Sequence, residues 1–351
     1  MTVSDFDSFL TELPKCEHHV HLEGTLSPEL LIDLAKRNNI KLPEEHPPTI
    51  EALYDRYSKF SCLQDFLDHY YVGMSVLIYE KDFEDLAYNY FVKAHQDGVH
   101  HAEVFFDPQA HLERGIKLTD VVSGITKART RAESDFGITT KLIMCFLRHI
   151  PSSDALTTLH AAVPHITTGH ITGIGLDSSE LGFPPHLFKE AYATARELNL
   201  ELNYTAHAGE EGDHTYVLGA LDDLKVERID HGIRSADDDA TLKRLAANNT
   251  LLTVCPMSNL KLRAVKSIGD IPLRKFLEYG VPFSINSDDP AYFGGYILDN
   301  YKEVHKHFNF DLATWIKIAE NNIHGSWINQ DRKDVLLARV ADVRKKYIHL
   351  A

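Results

Sequence analysis

No run of apolar residues in this 351-residue chain approaches the roughly 18 to 20 needed to cross a bilayer. The opening MTVSDFDSFL has neither the charged start nor the apolar stretch of a secretory signal, so a cytosolic protein is expected, with nuclear entry left open. Cysteine is scarce: Cys16, Cys62, Cys145 and Cys255 are far apart and form no C-x-x-C pair, which predicts reduced thiols rather than a disulfide framework. Long Lys/Arg clusters are missing too. With 36 basic against 51 acidic residues the net charge is −15, and nothing could track a phosphate backbone, so no nucleic-acid partner is expected. The phosphate-cradling G-x-x-x-x-G-K-[ST], the nucleophile elbow G-x-S-x-G and the metalloprotease H-E-x-x-H are all absent, and Gly173-Ile174-Gly175 lacks the third glycine of a dinucleotide fingerprint. Without repeats, low-complexity tracts or Gly/Ser/Pro linkers, residues 1–351 are expected to form one domain.

What is present begins with Cys16 to Thr25, CEHHVHLEGT. Read as a strand from Lys15 to Leu22, its side chains alternate, so His19 and His21 share one face and His18 points to the other. Two imidazoles on one rigid strand are half of a zinc site. Seven further apolar runs follow: His101 to Phe106, Lys141 to Leu147, Ile171 to Leu176, Glu201 to Ala206, Arg228 to His231, Leu251 to Cys255 and Val281 to Asn286. Helical patterns such as Leu118 to Phe136 and Leu273 to Tyr279 separate them, which predicts a (β/α)8 barrel. Helical segments at about 40–96 and 311–351 are too long for connections and are expected to cap the barrel.

Barrel enzymes draw their chemistry from the C-terminal ends of strands, and the polar residues gather there. His19, His21 and His207 with the Asp288 carboxylate offer a nitrogen and oxygen ligand set suited to one zinc ion. Zinc with an open position lowers the pKa of a bound water toward about 7. Glu210 and His231 sit at neighbouring strand ends to serve as acid and base, and Asp289 is free to bind substrate. Taken singly, His207 is a core histidine, Asp288-Asp289-Pro290 a turn, and Glu210-Glu211 the acidic first turn of a helix. One site explains all of them at once.

HHVHLEGT, TAHAGE, RIDHG, CPMSN and NSDDP, in this order between about Leu13 and Tyr301, resemble the adenosine and adenine deaminase family of zinc-dependent aminohydrolases. The resemblance implies hydrolytic removal of the C6 amino group of a purine. It assigns zinc to His19, His21, His207 and Asp288, the proton donor toward N1 to Glu210, water activation to His231, the N7 side of the purine to Asp289 and steadying of the site to Ser258. Glu23 stands where nucleoside-specific members carry a ribose-binding Asp and is expected to fill the sugar's space, while Ser178 replaces a purine-contacting Gly. LGFPPHLF and SDDPAYFGGYILDNY are similar to the fungal and bacterial branch acting on free adenine, so adenine is the expected substrate. The alternatives are an adenosine-specific member, a barrel hydrolase acting on another bond, and a catalytically silent zinc- or nucleoside-binding relative.

Overall fold

A computed structural model describes residues 5–198 and 200–351. Eight parallel strands run in sequential order: β1 (Lys15–Glu17), β2 (Val99–Phe106), β3 (Thr139–Leu147), β4 (Gly173–Asp177), β5 (Asn203–Ala208), β6 (Arg228–His231), β7 (Leu251–Val254) and β8 (Phe283–Ile285). Helices lie between them, and almost every strand residue is buried, as expected of a parallel sheet covered on both faces. The expected helices Leu118–Phe136 and Leu273–Tyr279 form with those limits and end at Gly137 (φ 69°) and Gly280 (φ 73°), which adopt left-handed backbone that L-residues avoid.

The barrel closes irregularly between β8 and β1. β1 stops at Glu17, five residues earlier than predicted, because the Asn286 side chain accepts from the His18 backbone N–H at 2.8 Å where a ladder partner would stand. Pairing resumes at a bridge between Val20 and Asp288, with His21 N donating to Asp288 O and Asp288 N donating to His19 O, both at 3.0 Å. The break overturns the outward placement of His18. Its ring is fully buried, bonded to Ser284 Oγ at 3.2 Å and Ser326 Oγ at 2.7 Å, because strand alternation does not run through an interrupted strand.

The two long helical segments close opposite ends. Helices Ile50–Tyr57 and Leu63–Met74 lean over the C-terminal mouth, held by an aromatic cluster in which Tyr57 meets Tyr292 at 4.6 Å and Phe66 meets Phe293 at 4.8 Å between ring centroids. Tyr292 and Phe293 lie three and four residues after Asp289, so this packing fixes the mouth helix to the site. Helix Leu312–Gly325 and the residues after it cover the strand starts. Asn322 Oδ1 accepts from Cys16 N at 3.0 Å, and Trp327 stacks under the Arg228 guanidinium at 3.8 Å.

Candidate active site

The backbone itself aims the side chains at the mouth. Ser178, His231 and Asp288, just past or at the ends of β4, β6 and β8, have φ of 72°, 60° and 66°. Each costs about 1 kcal/mol relative to ordinary backbone, and such strain concentrates where function holds it. Here it turns His231 and Asp288 onto a common point.

Three imidazole nitrogens converge there with one carboxylate. Asp288 Oδ1 is 3.1 Å from His19 Nε2 and 3.4 Å from His21 Nε2, and His21 Nε2 is 3.2 Å from His207 Nε2. Lone pairs packed this closely repel unless a cation lies among them, so the donor set fits a tetrahedral nitrogen and oxygen metal site. On the other nitrogen, His19 Nδ1 is bonded to Thr253 Oγ1 at 2.8 Å, and carboxylates stand 3.5 Å from the other two, Asp177 Oδ2 from His21 Nδ1 and Asp230 Oδ2 from His207 Nδ1. Thr253 and Thr205 in turn donate to Asp230 at 3.0 and 2.8 Å. Acceptors on that side favour a proton on Nδ1 and leave Nε2 to bind a metal. His231 also lies within ligand distance of His19, His207 and Asp288. Its Nε2, however, points between Asp288 Oδ2 at 3.6 Å and Glu210 Oε2 at 3.4 Å, and its Nδ1 is held by Asn259 at 3.2 Å.

Electrostatics separate the carboxyls. Burial works against an ionised Asp288, but the imidazoles of His19, His231 and His21 hold it well below the usual range. Burial, then the charges of Asp288 and Glu180, push Glu210 well above it, and burial followed by Asp288 does the same to Asp289. Of these, Glu210 and Asp289 are therefore the carboxyls whose proton is held most firmly, while burial and neighbouring His19 hold His231 down at about 3, which favours the neutral ring.

The turn that presents Glu210 is clasped by Glu180. Its carboxylate accepts from the backbone N–H groups of Gly209 (2.6 Å), Glu210 (3.1 Å), Glu211 (2.8 Å) and Gly212 (2.7 Å). Buried Arg148 donates to His207 O at 2.7 Å and to Phe183 O, tying the same turn to the loop that carries Glu180.

A narrow cleft of about 40 Å³ opens above these groups. Leu63, Phe66, Leu67, Tyr70 and Tyr71 of the mouth helix and Leu262 give it apolar walls, and Asp107, Asp177, Ser178, Glu210 and Asp289 give it a polar rim. Ser178 lines it, with Oγ bonded to His149 Nδ1 at 2.7 Å. Glu23 does not line it. Residues Glu23–Thr25 wind into a 3-10 turn with Gly24 pressed against Asp289, which sends the Glu23 carboxylate toward the end of β2. There Oε1 accepts from Asp107 N at 3.1 Å and pairs with His111 Nε2 at 2.8 Å, so Glu23 cannot fill a sugar's space directly. Ser258 Oγ is buried and has no hydrogen-bond partner among the described residues; the steadying expected of it falls to its neighbour Asn259, which reaches both His231 and Glu210 (3.3 Å).

The sequence reading assigns no role to Asp107, Asp177, Glu180 or Asp230. Asp107 and Asp177 sit just beyond β2 and at the last position of β4, where the strand-end rule that singled out Asp288 applies equally. Glu180 carried no such signal, because its partners lie about thirty residues along the chain.

The chain is similar to known proteins in sequence and fold. A family model described as adenosine deaminase matches residues 14–343. The chain is 58% identical to an adenine deaminase of Candida albicans over 97% of its length and 96% of that protein's, and 57% identical to one of Saccharomyces cerevisiae over 97% and 99%. The crystal structure of an adenine deaminase from Arthrobacter aurescens superposes with a TM-score of 0.90 at 46% identity, covering 95% of this chain and 99% of the other. A zinc-bound amidohydrolase from Burkholderia ambifaria, 28% identical, gives 0.88 over 100% and 96%. From motif order, barrel and relatives alike, the chain belongs to the adenosine deaminase family.

Proposed function

We propose that the protein is a zinc-dependent adenine deaminase, converting adenine and water to hypoxanthine and ammonia. The observation that carries the reading is the convergence of His19 and His21 Nε2 on Asp288 Oδ1, with His207 Nε2 3.2 Å from that of His21, beside Glu210 and His231, whose Nε2 lies 3.4 Å from the Glu210 carboxyl. His19, His21, His207 and Asp288 would hold the zinc, which when bound supplies a Lewis acid that makes water nucleophilic at neutral pH.

The chain's own groups do the rest. His231 takes the proton from the attacking water and passes it to the C6 amino group, which leaves as ammonia as the C6–N bond breaks, while the C6 hydroxyl returns a proton to Glu210. Glu210 delivers its proton to ring N1, which localises the double bond at C6 and makes that carbon electrophilic. Asn259, bonded to both, keeps acid and base on the same side of the ring. Asp289 donates its proton toward N7 and stops the base from rotating about the C6 axis. Aromatic and aliphatic side chains of the mouth helix sandwich the flat ring and keep bulk water from the charged adduct.

Adenine is favoured over adenosine by the relatives' activity and by the polar rim opposite Glu210. Four free thiols, three of them buried, fit a reducing compartment, the cytosol or nucleus. The test follows the ultraviolet absorbance of zinc-loaded protein with adenine and adenosine in parallel. Rapid conversion of adenine with adenosine almost untouched is expected. Preference for adenosine would transfer the site to the nucleoside, and inertness toward both would end the deaminase reading.

A further inference from the structure

Asp107 is a buried carboxyl with one oxygen left unpartnered at the cleft. It is 2% exposed and lines the cleft, yet its Oδ1 has no hydrogen-bond partner among the described residues, while Oδ2 receives only a long 3.3 Å bond from Tyr70. Asp177 beside it also lines the cleft, its carboxyl paired with that of Asp107 and one oxygen 3.5 Å from His21 Nδ1. One ligand atom each of His21, Asp107 and Asp177 falls within 4.8 Å of the others. Buried polar groups in folded proteins are almost always partnered, so an unpartnered carboxylate facing a cleft awaits a donor on a ligand.

Ring geometry names that donor. With N1 toward Glu210, C6 toward Asp288 and N7 toward Asp289, the N3–N9 edge of a purine turns to the remaining polar lining, Asp107, Asp177 and Ser178. The common tautomer of free adenine carries one ring N–H, at N9; a nucleoside has a sugar carbon there instead. We propose that Asp107, backed by Asp177, accepts a hydrogen bond from N9–H and thereby selects the free base over N9-substituted purines. This rests on the deaminase reading above. Glu23 then serves specificity at one remove, because its carboxylate holds the Asp107 backbone N–H and, through His111, the helix Pro108–Leu112 that starts there. A site built around a substrate N–H rejects analogues lacking it by about 10⁴ to 10⁵ in the best cases, since the site's own polar group is then left unpaired.

Adenine and 9-methyladenine, which lacks the N–H but adds only one methyl, separate the roles. Equilibrium binding is measured on metal-free protein, where turnover does not intervene, and initial rates on zinc-loaded protein. Wild type is expected to bind adenine at least about 100-fold more tightly than 9-methyladenine. Asp107→Leu, similar in size without an acceptor, should weaken adenine about 30-fold or more and leave 9-methyladenine within about threefold. Asp107→Ala gives the same loss for adenine should the leucine variant fail to fold, and Asp107→Asn, which retains a carbonyl acceptor, should recover most of the preference. Equal weakening of both ligands, or no preference in wild type, overturns the assignment. Zinc-loaded wild type that deaminates adenine while the ratio ignores Asp107 overturns this assignment alone; wild type inert toward adenine overturns the deaminase reading and the assignment with it.

Discussion

The two ends of the barrel are both rich in buried charge and treat it oppositely. At the strand starts, Glu103 is saturated: it pairs with His101 Nε2 at 3.0 Å and accepts from Arg228 and from the Trp327 backbone N–H. Despite burial, Arg228 and these bonds hold its carboxyl far below the usual range. At the mouth, Asp107, Asp177, Asp289 and Glu23 each keep at least one buried oxygen without a hydrogen-bond partner. Burial, joined by neighbouring negative charge, raises Asp107 and Asp289 well above the usual range. Paired charge builds a rigid floor, whereas unpaired charge is held ready for a ligand, and only the second kind does chemistry.

Substitutions at the mouth should therefore remove activity and spare stability, and those at the floor the reverse. The largest expected effect tests which imidazoles hold the metal. His21→Ala and His207→Ala should lose bound zinc by elemental analysis and lower kcat/KM by about 10⁴-fold or more, while His231→Ala keeps its zinc and loses about 10²- to 10⁴-fold in kcat. Zinc lost from His231→Ala but kept by His21→Ala would replace His21 by His231 in the ligand set. Next, Glu103→Gln at the floor leaves Arg228 buried without its anion, and urea unfolding should show a loss of about 3 to 5 kcal/mol with KM unchanged.

Lys15, also at the strand starts, gives a pH signature. Its Nζ is wholly buried among the carbonyls of Leu10 (2.7 Å) and Leu13 (2.9 Å), and burial, opposed by Asp97, lowers its pKa to about 7. Between about pH 7 and 10 the unfolded chain binds the proton that the folded chain has lost, so stability rises with pH across that window. The stability of wild type relative to Lys15→Met should rise by about 2 to 3 kcal/mol from pH 7 to 9. A flat difference would show that the ammonium stays charged in the fold. The smallest effect is expected for Glu180→Gln, which weakens the clasp on residues 209–212: kcat should fall about tenfold and the basic limb of the pH profile, set by Glu210, should move, with zinc content intact. A change in KM alone would limit Glu180 to shaping the rim.

The eight apolar runs, the helices between them and the strand-end histidines could all be read without coordinates, because periodicity and ligand spacing are properties of neighbouring residues. The strand from Lys15 to Leu22 was overdrawn for the same reason: local alternation runs on through His18, but the partner that interrupts it, Asn286, is 268 residues away. Glu23 shows the limit most clearly. Its identity was informative and its direction was not, since Asp107 and His111, the groups that claim its carboxylate, lie 84 and 88 residues further along.

What the sequence by itself determined is the barrel, the order of its motifs and the residue types able to bind zinc and move protons. Tertiary structure alone decided that Glu23 faces away from the cleft, that Asp107 and Asp177 face into it, and that one carboxylate clasps the turn bearing Glu210. The division has a physical cause. Composition and period settle what each segment buries, but the direction of a polar side chain at a strand end depends on which distant donors barrel closure brings within about 3 Å.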